Sequence, residues 1–152
     1  MYFENAAVAL PQTLDPDKKY FSIEEANRAL PYVARIVDDA TRAYQCIIDL
    51  RRYLDQYELA DPRNDSQHEC EQQMDRLSYF IDELSNVGVQ LKDFEVGVVD
   101  FPAIFEDREV FLCWKKGELQ VEHWHEIDEG YTGRQALTLW SEDQADTSSL
   151  IH

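Results

Sequence analysis

The chain has 152 residues, 44% of them hydrophobic and with aromatic side chains spread throughout, which is one domain's worth of sequence with enough apolar mass for a core. A formal charge of −17, from 31 acidic against 14 basic residues, opposes DNA and RNA as partners, because phosphate binding needs a basic surface that releases counterions. No run of about 18 apolar residues occurs, and the opening MYFENAAVALPQ lacks the basic and apolar regions of a signal peptide, so neither membrane insertion nor secretion is expected.

Residues 1–19 show no sustained period and contain LPQTLDPDKK, which predicts an extended arm on the surface. Ser22 and Glu25 then form a capping box, with the hydroxyl accepting a first-turn N–H and the carboxylate reaching back, so a helix starts near Ile23. Ala26, Leu30, Val33, Val37, Ala40, Tyr44, Ile47 and, after Arg51, Leu54 advance in steps of four and three, one continuous seam over about 23–57. Pro31 lies inside that seam and predicts a kink or restart, since it removes one hydrogen bond and crowds the preceding turn.

ELADPRNDS breaks the period, and Ser66 with Glu69 makes a second capping box. Cys70, Met74, Leu77, Ile81 and Leu84 give the second helix, about 66–87, which Gly88 ends by taking the left-handed conformation. Two seams joined by a short loop make an antiparallel hairpin. Three strands are expected next, at about 95–101, 109–114 and 119–125, with Gly117 supplying the positive φ of the turn between the last two. GYTGRQALTLW reads as a loop plus a short element, and residues 141–152 as a flexible acidic tail. The expected architecture is α+β, a single domain over 20–140 in which a long antiparallel helical hairpin packs on a small three-stranded antiparallel β-meander.

The chemistry concentrates in VEHWHEIDEG, Val121 to Gly130. If the strand runs from 119 to 125, alternation puts Leu119, Val121, His123 and His125 on one face and Gln120, Glu122, Trp124 and Glu126 on the other. A single buried histidine is commonly satisfied by a carbonyl, but two on one face must both find partners away from water. A divalent metal solves that: His123 and His125 are expected ligands for zinc, iron, manganese or nickel, with Glu129 as the third. Asp128 and Glu126 stand as substitutes, and Asp100 as a contributor from a neighbouring strand. The spacing G-x5-H-x-H-x3-E from Gly117 matches the first half of the cupin metal motif, but only 23 residues follow Glu129, too few for the second half of that barrel.

The blocks KYFSIEEANRALPYV, GVQLKDFEVGVVDFPA, VFLCWKKGE and HWHEIDEGYTGRQAL, in that order, resemble the bacterial domain-of-unknown-function family 2203 over Lys19 to Leu137. The resemblance implies a fold plan and little chemistry. The family pattern includes the residues that here are Asp100, Phe101, Pro102, Trp114, Trp124, His125, Gly133, Arg134 and Gln135. His123 and Ala136 depart from it, where other members often carry an aromatic residue and a proline.

Arg134 can bind a carboxylate or phosphate through its planar fork, but in so acidic a chain a pair with Asp100 or Glu129 is the simpler expectation; Arg134 and Asp100 are kept as secondary binding residues. Trp114 and Trp124 read as packing anchors, His68 as solvated, and Cys113, between Leu112 and Trp114, as a buried inert thiol. Cys46, Cys70 and Cys113 have no CxxC spacing and read as reduced residues of a cytoplasmic protein. Three functions compete: a small metal-binding or chelating protein; a non-catalytic module whose helical seam pairs with a partner or forms a homodimer; and a metal-dependent hydrolase in which Glu126 or Asp128 acts as base.

Overall fold

The computed structural model describes residues 14–57 and 65–138, so most of the predicted arm, the hairpin loop and the acidic tail lie outside the described residues. Within them the order is α1 (Ile23–Tyr57), α2 (Asp65–Val87), β1 (Gln90–Asp93), β2 (Val98–Phe105), β3 (Arg108–Lys115), β4 (His123–Glu126) and β5 (Gln135–Ala136). The five strands form one antiparallel meander in the order β1-β2-β3-β4-β5. No helix among the described residues is long and apolar enough to cross a membrane.

The first capping box forms as the sequence dictates: the Glu25 N–H donates to Ser22 Oγ at 3.0 Å and the Ser22 N–H to Glu25 Oε1 at 3.0 Å. From there α1 runs as one helix through Pro31, so the restart offered as one alternative does not occur. The ring sits on the exposed side of the helix, while Leu30 and Val33 continue the buried seam on either side of it. One lost bond on a solvated flank does not outweigh a core-facing stripe that carries on beyond it. α2 begins at Asp65, so Ser66 stands in its first turn. It ends at Gly88, φ +103°, where the Val89 N–H bonds to the Leu84 carbonyl and the Gly88 N–H to that of Ser85, both at 3.0 Å. That is the paired bonding of a Schellman stop.

The meander has five strands where three were expected. β1 and β5, four and two residues long, are too short to show a period of two. β2 continues past Pro102, which the sequence reading took as its end. β1 pairs β2 only as far as Asp100, so beyond it the outer flank of β2 is open, and the Pro102 carbonyl there accepts the Phe21 N–H at 2.7 Å. A proline whose missing N–H faces such a flank costs no ladder bond. β2 and β3 join through Glu106 and Asp107, both at positive φ (53° and 65°), a two-residue hairpin without glycine.

Gly117 does make the next turn, at φ +104°, but pairing resumes only at His123, opposite Cys113. The predicted strand start at Leu119 is therefore corrected: Leu119 is 93% exposed, and the Val121 N–H is taken by Asn27 Oδ1 of α1 at 2.7 Å. Both helices lie on one face of the sheet. Val99, Phe101 and Ala103 of β2, Val110, Leu112 and Trp114 of β3, and Trp124 of β4 meet Ala26, Leu30, Val33, Val37, Phe80 and Leu84 in one core. Trp114 and Trp124 are the packing anchors the sequence suggested.

Candidate functional site

Alternation along β2, β3 and β4 sends the other half of their side chains away from the helices, and this far face is also buried. Asp100, Phe111, Cys113 and His125 are 2%, 9%, 0% and 2% exposed. Part of the cover comes from the segment before α1: Lys18 Nζ and Tyr20 Oη both bond to the Glu109 carboxylate. Register brings the polar members of the face together, since Asp100 lies opposite Cys113 and Cys113 opposite His123, with His125 two residues further along β4.

One ligand atom each from Asp100, Cys113 and His125 lies within 4.8 Å of the other two, and this is the one group of three or more such residues among those described. The His125 ring is fixed at both ends. Its Nδ1 lies 2.8 Å from the Glu126 carbonyl, so Nδ1–H donates there, and its Nε2 lies 3.0 Å from Asp100 Oδ1. Burial works against a charge on this ring, but the bonds to Asp100, Cys113 and the Glu126 carbonyl outweigh it and hold the imidazole up at about 10, against an ordinary 6.5. His125 and Asp100 thus form a buried imidazolium–carboxylate pair beside a thiol. Beside them opens a cavity of about 340 Å³. Asp100 and His125 contribute to its lining, together with Lys92, Phe111, Glu129 and Tyr131.

The other residues singled out from sequence are placed as follows. His123 is absent from the three-residue group; its Nδ1 lies 4.0 Å from Glu118 Oε2 and is buried without a hydrogen-bond partner. Glu126 is held by Arg108, whose Nε and Nη2 both donate to it, and this pairing sets its carboxyl below the usual range, an unfavourable state for a general base. Asp128 and Glu129 are exposed, and only Glu129 of the two lines the cavity. Val121, expected to share a face with the histidines, belongs to the helix-side core because it precedes the strand and escapes its alternation.

Arg134 pairs with neither Asp100 nor Glu129, correcting that expectation. It donates through Nη1 and Nη2 to the two oxygens of Glu118 and lies 4.3 Å from the Tyr131 ring centroid. Burial pushes the Glu118 carboxyl up, but the Arg134 bonds and the Lys115 N–H prevail and leave it lowered. Cys113, read from the sequence as a buried inert thiol, is buried, and the sequence did not show that it stands beside Asp100 and His125. Its neighbours Leu112 and Trp114 face the helices while Cys113 faces the polar side, and only the strand register reveals that.

The chain matches, over residues 19–137, the family model described as Uncharacterized conserved protein (DUF2203), and it belongs to that family. No curated protein and no solved structure matches it.

Proposed function

We propose that this member of the DUF2203 family binds a divalent transition metal through Asp100, Cys113 and His125. The observation that carries the reading is the buried convergence of an oxygen, a sulfur and a nitrogen donor on the helix-free face of the sheet. The orientation of His125 supports it: the Nδ1–H bond to a carbonyl leaves Nε2 directed at Asp100, the arrangement that fixes the tautomer of a metal-ligating histidine. A thiolate and a carboxylate balance the charge of a divalent ion, and a mixed S, N, O set favours zinc over the harder manganese. When no metal is present, a proton takes its place on Nε2 and the His125–Asp100 pair holds the face together.

Elemental analysis of protein purified without chelators tests this directly, with near-stoichiometric zinc, iron or nickel expected in the wild type and loss of it in His125→Ala. Cobalt substitution adds a test of Cys113, whose ligation gives a sulfur-to-metal charge-transfer band that Cys113→Ser removes. Wild-type protein that carries no metal and takes up no cobalt overturns the reading.

A second reading, self-association through the helical hairpin, is favoured by one observation. Tyr32 and Tyr53 of α1 and Met74 and Tyr79 of α2 are 50%, 42%, 42% and 58% exposed, a set of large apolar side chains outside the core. Sedimentation equilibrium decides it: a monomer at tens of micromolar removes this reading, and a dimer that Tyr79→Asp dissociates upholds it.

A further inference from the structure

The cavity beside His125 carries a lysine and a glutamate that ion-pair with no other described side chain. Lys18, Lys19, Arg28, Arg42, Arg108, Lys116 and Arg134 all meet carboxylates. Lys92 and Glu129 line the same cavity with opposite charge, yet neither forms an ion pair with the other or with any described residue. Lys115 likewise meets no described carboxylate, so what sets Lys92 and Glu129 apart is that they face one cavity with opposite charge. Lys92 is placed by packing, its ammonium 5.9 Å from the centroid of the Phe111 ring in the cavity wall. Glu129 is placed by the backbone of the following turn, since a Cβ at Gly133 would stand 3.1 Å from the Glu129 Cβ and 3.2 Å from its Oε1.

The other acids of the cavity hold hydrogen-bond partners of their own, although no described cation pairs with Asp93. Asp93 Oδ1 accepts the N–H groups of Glu95 and Val96 at 2.9 Å each, closing the turn between β1 and β2, and Asp100 is bound to His125. The apolar and aromatic part of the lining is Val98, Phe111, Ile127 and Tyr131. The volume, about 340 Å³, stands at the small end of ligand pockets, which run from roughly 300 to 1,000 Å³.

The geometry points to a binding site for a small zwitterionic amino carboxylate with an apolar side chain, its carboxylate received by Lys92 and its ammonium by Glu129. A lysine and a glutamate facing one cavity match a ligand carrying the same two charges in reverse, and the apolar part of the lining receives the portion of the ligand that carries neither. A ligand with only one of these charges leaves the other protein charge facing it without a partner. The site does not depend on a metal at Asp100, Cys113 and His125, because Lys92 and Glu129 belong to neither the metal group nor its supports.

Isothermal titration of the full chain with L-leucine, isocaproate and isoamylamine, once in chelator and once with added zinc, tests the proposal. Leucine is expected to bind saturably, and each analogue that lacks one charge to bind at least roughly tenfold more weakly, the worth of one charge-assisted contact. Lys92→Met should weaken leucine and isocaproate but leave isoamylamine unchanged, and Glu129→Gln should weaken leucine and isoamylamine but leave isocaproate unchanged. Both side chains are exposed, so neither substitution threatens folding. No saturable leucine binding, or leucine binding that survives both substitutions, overturns the inference; failure of zinc to bind leaves it standing and speaks only to the metal reading.

Discussion

Asp100→Asn in protein stripped of metal is the most direct test of the buried far face. The substitution keeps shape and an acceptor oxygen but removes the charge that faces His125 Nε2 at 3.0 Å, where both residues are about 98% buried. Breaking one side of a buried ion pair costs on the order of 3–5 kcal/mol when the remaining charge stays unpaired. Here the ring can shed its Nε2 proton and accept from the asparagine amide N–H, so the expected loss is smaller, about 2–4 kcal/mol. With a urea slope near 2 kcal/mol per molar, that moves the unfolding midpoint down by roughly 1–2 M at pH 7. The pH profile supplies an independent check. His125 is raised to about 10 in the folded chain from 6.5, so the folded state holds the proton more tightly, and the stability it contributes is fully present below pH 6.5 and lost as pH climbs through 10. Asn at position 100 should flatten that decline. A midpoint shift under about 0.3 M, or a variant whose stability falls between pH 6.5 and 10 as steeply as the wild type's, would refute the pairing argument.

His123→Phe removes the buried Nδ1 that has no hydrogen-bond partner, and chemical denaturation should find it neutral or stabilising by about 1 kcal/mol, with metal uptake retained because His123 lies outside the donor group. Two glycines of positive φ separate backbone strain from crowding. At Gly97 a Cβ would stand 3.0 Å from Val37 Cγ1 and 3.1 Å from Lys116 Cβ, so Gly97→Ala should cost about 2–4 kcal/mol by urea titration. Gly117, with nothing within 4 Å of the same position, should cost only about 1 kcal/mol when changed to alanine. Zinc at a hundredfold excess over its dissociation constant should raise stability by about 3 kcal/mol in a thermal melt at pH 8, and by less at pH 6, where protons compete more strongly for the His125 nitrogen.

The helices were legible in the sequence because their signals are local. Ser22 and Glu25 sit three residues apart, Gly88 follows the last turn, and the apolar seam from Ala26 to Leu54 declares its period over about eight turns. Even so the seam was not complete: Phe80, buried on α2, falls outside the four-three series that included the 42% exposed Met74. The sheet was less legible because its decisive facts are not local. Pro102 reads as a strand end unless the open flank of β2 is known, and Leu119 looks like a strand residue until Asn27 of a distant helix claims the N–H of Val121. The site suffered from the same limit. His125 stood out as a candidate, and Asp100 was named as a neighbour-strand contributor, but Cys113 joins them only through a register that pairs residues 100 with 113 and 113 with 123.

The segment ahead of α1 also has a defensive role. By bonding through Phe21 to the Pro102 carbonyl and through Lys18 and Tyr20 to Glu109, it occupies a stretch of sheet margin that β1 is too short to reach. A shortened protein beginning at the capping box would offer that bare margin to the sheets of neighbouring molecules, so the few residues before the first helix safeguard solubility as much as they do the fold.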